Sequence, residues 1–202
     1  IFGFAGTALS AQPLKTNQTI CYDAAGAVVA CAGTGQAGAY LKGVARSYTD
    51  PVNSTITDNA TGLMWKKCSE GLSGAPCTTG TIATSTWNGA LTQCEADTTA
   101  SFTDWRLPNV YELYSLVDFG VASAPFINGT YFPATQSNNY WSSTTYPANY
   151  TNAMNVNFNN GNTNNNNKTN SNYVRCVRAL PPPALSLFLP LSHQMTTIFT
   201  LE

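Results

Sequence analysis

The stretch Asn152-Ala153-Met154-Asn155-Val156-Asn157-Phe158-Asn159 alternates apolar and amide side chains, the period of a β-strand. Met154, Val156 and Phe158 are expected on the face turned to a core, and Asn155, Asn157 and Asn159 on the opposite face. Asn is a poor strand former and carries two N–H donors and an acceptor oxygen, so secondary structure alone gives no reason to place it here. An amide-covered strand face is suited to touching something. The pattern extends outward: fifteen of the thirty-five residues from Asn138 to Asn172 are Asn. Apolar residues break the run at intervals, so it is not simple low complexity.

Further strands are expected at 56–58, 63–65, 140–144 and 173–178. The spacing predicts a helix over 86–96, with Trp87, Ala90, Leu91 and Cys94 on one buried stripe and Ser85 or Thr86 as its cap. A second helix starts after Pro108, where Asn109 and Glu112 form a capping-box pattern. Its stripe is Val110, Leu113, Tyr114 and Val117, and it is expected to end near Asp118 to Gly120. The class is α+β: two helices packed on antiparallel sheets, joined by long irregular loops.

The chain has 202 residues, 43% of them hydrophobic, enough to bury the core of one main domain. With 9% charged residues and a formal net charge of -1, it has no basic footprint for nucleic acid and no polybasic patch for anionic lipid. No apolar stretch approaches the length of a membrane helix, so no integral membrane segment is expected. Low charge with abundant Thr, Ser, Asn, Gly and Tyr suits a secreted or cell-surface protein.

Six cysteines, Cys21, Cys31, Cys68, Cys77, Cys94 and Cys176, lack paired knuckle spacing, and His193 is the sole histidine. A zinc site is not expected; three disulfides in an oxidising compartment are. Cys21 with Cys31 and Cys68 with Cys77 stand at hairpin-like separations, which leaves Cys94 with Cys176. That last bridge closes a loop of about 80 residues and is worth about 4 to 5 kcal/mol in the chain-entropy model.

Three segments are expected. Residues 1–51 form an N-terminal segment with a disulfide hairpin whose turn lies near Asp23 to Gly26. Residues 52–180 form the main domain, and 181–202 an apolar tail led by Pro181-Pro182-Pro183. The apolar start resembles either the end of a signal peptide or a terminal strand. Ile1 to Leu9, or Ala184 to Leu201, are candidates for strands donated to a neighbouring sheet edge. They motivate an alternative function: a structural subunit of an extracellular filament or pilus-like fibre.

Five motifs stand in order: TDNATGLMW at 57–65, DWRLP at 104–108, Glu112-Leu113, YWSST at 140–144 and YVRCVR at 173–178. Together they resemble the Lcl C-terminal domain family, a branch of the C-type lectin fold, over about 57–179. The resemblance implies a C-type lectin-like fold whose first helix is tied by a disulfide to its last strand, in agreement with Cys94 and Cys176. Trp105 and Trp141 are expected to pin the core, and Arg106 has Asp104 and Glu112 as possible partners. Proteins of this fold include variable receptors written by diversity-generating retroelements, in which Asn codons mark substituted positions. The ligand-facing candidates are then Asn138, Asn139, Asn152, Asn155, Asn157, Asn159, Asn160, Asn162, Asn164, Asn165, Asn166, Asn167, Asn170 and Asn172.

The fold also hosts formylglycine-generating enzymes and calcium-dependent lectins. With all six cysteines assigned to disulfides no thiolate nucleophile is left, and no Asp or Glu occurs between Ser137 and Ser171 to build a carboxylate-rich calcium site. No enzymatic activity, metal or cofactor is expected, and His193 is read as incidental. The function expected is an extracellular binding and adhesion protein that recognises a glycan or protein ligand through the Asn-rich surface.

Overall fold

A computed structural model describes residues 13–181. The apolar stretches from Ile1 to Leu9 and from Ala184 to Leu201, and His193, lie outside those residues. In chain order, β1 (Cys21–Tyr22) and β2 (Val28–Val29) form the N-terminal hairpin, followed by a single helical turn, α1 (Ala37–Tyr40), and β3 (Tyr48–Thr49). Then come β4 (Thr55–Asp58), β5 (Leu63–Lys66), β6 (Leu72–Ser73), β7 (Thr79–Gly80), β8 (Thr84–Ser85), α2 (Trp87–Glu95) and α3 (Val110–Tyr114). The last part of the chain holds β9 (Asn139–Thr145), β10 (Asn152–Asn157), β11 (Asn162–Asn167), β12 (Asn172–Tyr173) and β13 (Val177–Ala179). The result is α+β and mostly β.

Two sheets carry the domain. One has the order β11-β10-β9-β12-β8 and the other β13-β5-β4-β3. The first is antiparallel except where β12 runs parallel to β9, and the second is antiparallel throughout. The expected strand over 173–178 is divided between them. Tyr173 pairs beside Tyr140 in one sheet, whereas Val177 pairs with Trp65 in the other.

The helix starts follow their caps. Thr86 Oγ1 accepts from the Gly89 N–H at 3.3 Å, opening α2. In α3, Asn109 Oδ1 accepts from the Glu112 N–H at 2.9 Å while the Glu112 carboxylate accepts from the Asn109 N–H at 2.8 Å. That is the complete reciprocal box, which satisfies two backbone donors at once. α3 is nevertheless shorter than the stripe suggests. It ends at Tyr114, so Val117 is buried from the following turn, and Tyr114 is 39% exposed instead of joining the core.

Both faces of the five-stranded sheet are buried at its centre. Tyr140 and Trp141 are neighbours on β9 and so point to opposite faces, yet each is fully buried. Tyr140 packs with Val156, Phe158, Leu113 of α3 and Trp65 of the second sheet. Trp141 packs with Ala153, Ala90 and Cys94 of α2, and Trp105. Both indoles find carbonyl partners: Trp141 Nε1 donates to Ser85 O at 2.9 Å and Trp105 Nε1 to Thr99 O at 3.0 Å.

This double burial corrects the expected amide-covered face of the strand over 152–159. Val156 and Phe158 are buried as expected and Met154 is half-buried, but Asn155 is also fully buried. Alternation separates the two faces; it does not say that the second one meets water.

Three disulfides, Cys21–Cys31, Cys68–Cys77 and Cys94–Cys176, join the pairs expected from the spacing. The third ties α2 to the segment between β12 and β13. Arg106 pairs with Glu112 through two hydrogen bonds of 2.8 and 2.6 Å, while Asp104 pairs with Arg178. No helix among the described residues is long and apolar enough to cross a membrane.

Candidate ligand-binding face

The β10–β11 hairpin is the edge of the five-stranded sheet, and it depends on one glycine. Gly161 sits at φ +74°, and a Cβ there would lie 2.5 Å from Phe119 Cε1 and 3.0 Å from Val117 Cγ1. Glycine therefore lets the turn at 158–161 close directly onto the loop after α3. Gly161 N–H donates to Asn157 O at 2.8 Å, and the strands then run in unbroken register from Asn157↔Asn162 to Asn152↔Asn167.

The fourteen candidate asparagines divide by what their side chains do. Asn138, Asn157, Asn160 and Asn167 direct their carboxamide oxygens to backbone N–H groups one or two residues on, at 2.8 to 3.0 Å. These amides shape turns. Asn152 donates to Asn165 Oδ1 across the hairpin at 2.7 Å, and Asn166 donates to Asn172 Oδ1 at 3.2 Å. Asn139 is half-buried, and its Oδ1 has no partner among the described residues.

Asn155 and Asn172 are corrections. Asn155 is 0% and Asn172 6% exposed, so neither faces a ligand in this conformation. Packing on both faces of the sheet encloses them. Both amide atoms of Asn155 and Nδ2 of Asn172 have no partner among the described residues.

Four candidates remain, Asn159, Asn162, Asn164 and Asn170. Each is exposed, and none makes a side-chain hydrogen bond among the described residues. They lie on the edge strand or on the turns at its two ends, free to donate and accept.

Beside them is a cleft of about 580 Å³ between α3 and β11, lined by Val110, Tyr111, Tyr114, Met154 and residues 161–164. Tyr111 is 84% exposed on a helix whose other face is core, and Thr163 shares a face with Val156. Tyr111 was absent from the sequence candidates. The available signal was its place off the Val110/Leu113 stripe, an aromatic residue turned away from the core. A cavity of similar size, about 560 Å³, lies in the N-terminal segment around 14–19 and α1, apart from the Asn-rich stretch.

Electrostatically the face is nearly blank. Lys168 is the single charged residue between Asn138 and Asn172. Its ammonium lies 4.1 Å from the centre of the Trp87 ring and donates to Thr145 Oγ1 at 2.9 Å. On α3, burial raises the Glu112 pKa, but the hydrogen bonds from Arg106 and the Asn109 N–H outweigh it and hold the carboxyl below its usual range.

Behind the face, Arg175 is wholly buried. Its guanidinium donates to the carbonyls of Lys66 and Lys67, to Ser69 Oγ at 3.1 Å and to Thr135 Oγ1 at 2.8 Å. Burial pushes its pKa below the usual value. This residue is a structural clamp. It joins the chain after β12 to β5 and to the approach to β9, so the strands beneath the hairpin are fixed in place.

The family model described as the Lcl C-terminal domain matches residues 54–178, more than half of the chain. No curated protein matches the chain.

Proposed function

The chain belongs to the Lcl C-terminal domain family, and we propose that it is an extracellular binding and adhesion module whose ligand meets the β10–β11 hairpin. Family membership supports the coarse statement, a surface-binding domain. Three disulfides and the absence of a membrane-length helix among the described residues agree with an extracellular setting. The finer reading is a glycan or protein ligand on a C-type lectin-like scaffold. The tie between α2 and the segment before the last strand supports that scaffold.

One observation carries the assignment. Asn159, Asn162, Asn164 and Asn170 hold exposed amides, without a side-chain hydrogen bond among the described residues, on a hairpin anchored to a core packed on both sides. Rigid presentation limits the entropy lost on binding, and each amide offers both donor and acceptor. If the region is diversified, these four positions are the ones where substitution leaves the scaffold's own hydrogen bonds untouched. The chemistry proposed is recognition without catalysis.

The test is adherence of cells to a surface coated with the full chain, compared with Asn162→Ala and Asn164→Ala. Adherence should fall with each variant. Adherence equal to wild type in both would move the ligand site elsewhere.

A further inference from the structure

We propose that β11 is a self-pairing edge: the β11 strands of two copies of this chain run antiparallel and join their five-stranded sheets into one. The partner is a second copy, and the proposal stands apart from the ligand assigned above.

The register shows which backbone groups are left over. Phe158 N–H donates to Asn138 O and Tyr146 N–H to Asn152 O, so the even-numbered residues from 152 to 158 turn their backbone groups towards β9. Ala153, Asn155 and Asn157 turn theirs towards β11, where they stand opposite Asn166, Asn164 and Asn162. Backbone direction alternates along a strand, so Thr163 and Asn165 present N–H and C=O groups outward. No strand pairs with that side of β11 among the described residues.

An edge of this kind is normally shortened, charged or interrupted. The other sheet ends are short: β3 and β8 have two residues each and β13 has three. β11 has six, contains no charged residue and no proline, and keeps unbroken register with β10. A second copy meets no charge repulsion there, and the asparagine side chains of facing strands can match donor to acceptor.

Pairing the outward groups sets the arrangement. Thr163 of each copy exchanges backbone hydrogen bonds with Asn165 of the other, and the two-fold axis passes beside Asn164, perpendicular to the sheet. Asn164 then faces its own counterpart, while Lys168 lies beyond the paired residues. The axis places both α3 helices on one face of the joined sheet. The clefts lined by Tyr111 and Tyr114 meet above the joined strands, which screens side chains that are 84% and 39% exposed in the single chain. The opposite faces also point the same way, so one dimer meets a surface through two hairpins.

The test is sedimentation equilibrium of the full chain. Wild type should form a closed, reversible dimer at about 100 μM. Asn164→Lys sets two ammonium groups against each other at the axis and should weaken dimerisation by about tenfold or more, as should Asn164→Glu. Mixing these two variants should restore a dimer that holds one of each. Thr163→Pro removes an outward N–H and leaves the bonds to β10 intact, so it should give a folded monomer by circular dichroism.

A wild-type chain that stays monomeric at that concentration would overturn the proposal. So would a dimer of unchanged affinity in Asn164→Lys, or Lys and Glu variants that remain monomeric when mixed. Open-ended polymers would also do so, because they require a donated strand in place of a two-fold pair. If Thr163→Pro does not fold, the charge swap at position 164 decides alone. The ligand assignment is read separately, by cell adherence of Asn159→Ala and Asn170→Ala, both outside β11.

Discussion

Asn155 stands directly opposite Trp141 in the β9–β10 pairing, and the amide is as inaccessible as the indole. Trp141 donates to Ser85 O, whereas neither amide atom of Asn155 has a partner among the described residues. A buried polar group without a partner is costly, and replacing it by an apolar group of similar shape is nearly neutral or stabilising. Asn155→Leu is accordingly expected to keep or raise the melting temperature and to leave ligand capture unchanged. Asn155→Asp, equal in size but ionisable, should lower it strongly because a carboxylate would be buried unpaired. Thermal unfolding of both variants checks this; a large loss in the Leu variant would contradict it.

Cys94 and Cys176 close a loop with a sequence separation of 82. Replacing both by Ala leaves no stray thiol and removes the link from α2 to the segment before β13. The expected cost is about 4 to 5 kcal/mol, read from denaturant unfolding without reductant. An unchanged midpoint would mean that the link adds nothing to packing already in place.

Gly161→Ala should destabilise by about 1 to 3 kcal/mol, since the added methyl meets Phe119 at 2.5 Å and the backbone is at φ +74°. Ligand capture should fall with it, because the same turn sets where β11 lies. A variant as stable as wild type would show that the turn closes without this close approach.

Two ion-paired groups contribute to the pH dependence. Burial raises the Asp97 pKa, but hydrogen bonds from Lys66 and Thr99 outweigh it, so the folded value lies below normal. Burial lowers the Lys66 pKa, but Glu70 and Asp97 outweigh it, and the folded value lies above normal. Asp97 therefore contributes stability that is present above about pH 4 and is lost as pH falls through its depressed value. The Lys66 contribution is present below about pH 10 and is lost as pH rises through its raised value. Melting temperature should be flat near neutrality and fall on the acid side, with a smaller acid fall in Asp97→Asn. An identical acid limb in that variant would remove Asp97 from the account.

Much of the scaffold was legible because its signals are local. Thr86 and the Asn109/Glu112 box name the starts of α2 and α3, and short spacings name two of the disulfides. β11 was not legible, since NTNNNN has neither β-propensity nor an apolar period; its pairing with β10 makes it a strand. The fate of Asn155 was hidden for a related reason. Its cross-strand neighbour Trp141 packs against α2, which is distant in sequence, and alternation alone cannot show that. For the candidate site, Asn content points to the β10–β11 hairpin without separating the amides that build turns from the four that make no side-chain hydrogen bond among the described residues. Tyr111 lies off the buried stripe of α3, and a helical period marks only the residues it buries.

The most direct measurement combines thermal unfolding and ligand capture on one variant, Asn159→Ala with Asn162→Ala, Asn164→Ala and Asn170→Ala. All four amides are exposed and unbonded among the described residues, so the melting temperature should stay within about 2 °C of wild type. Adherence of cells should be lost. Full capture by a normally folded variant would contradict the hairpin as the binding face.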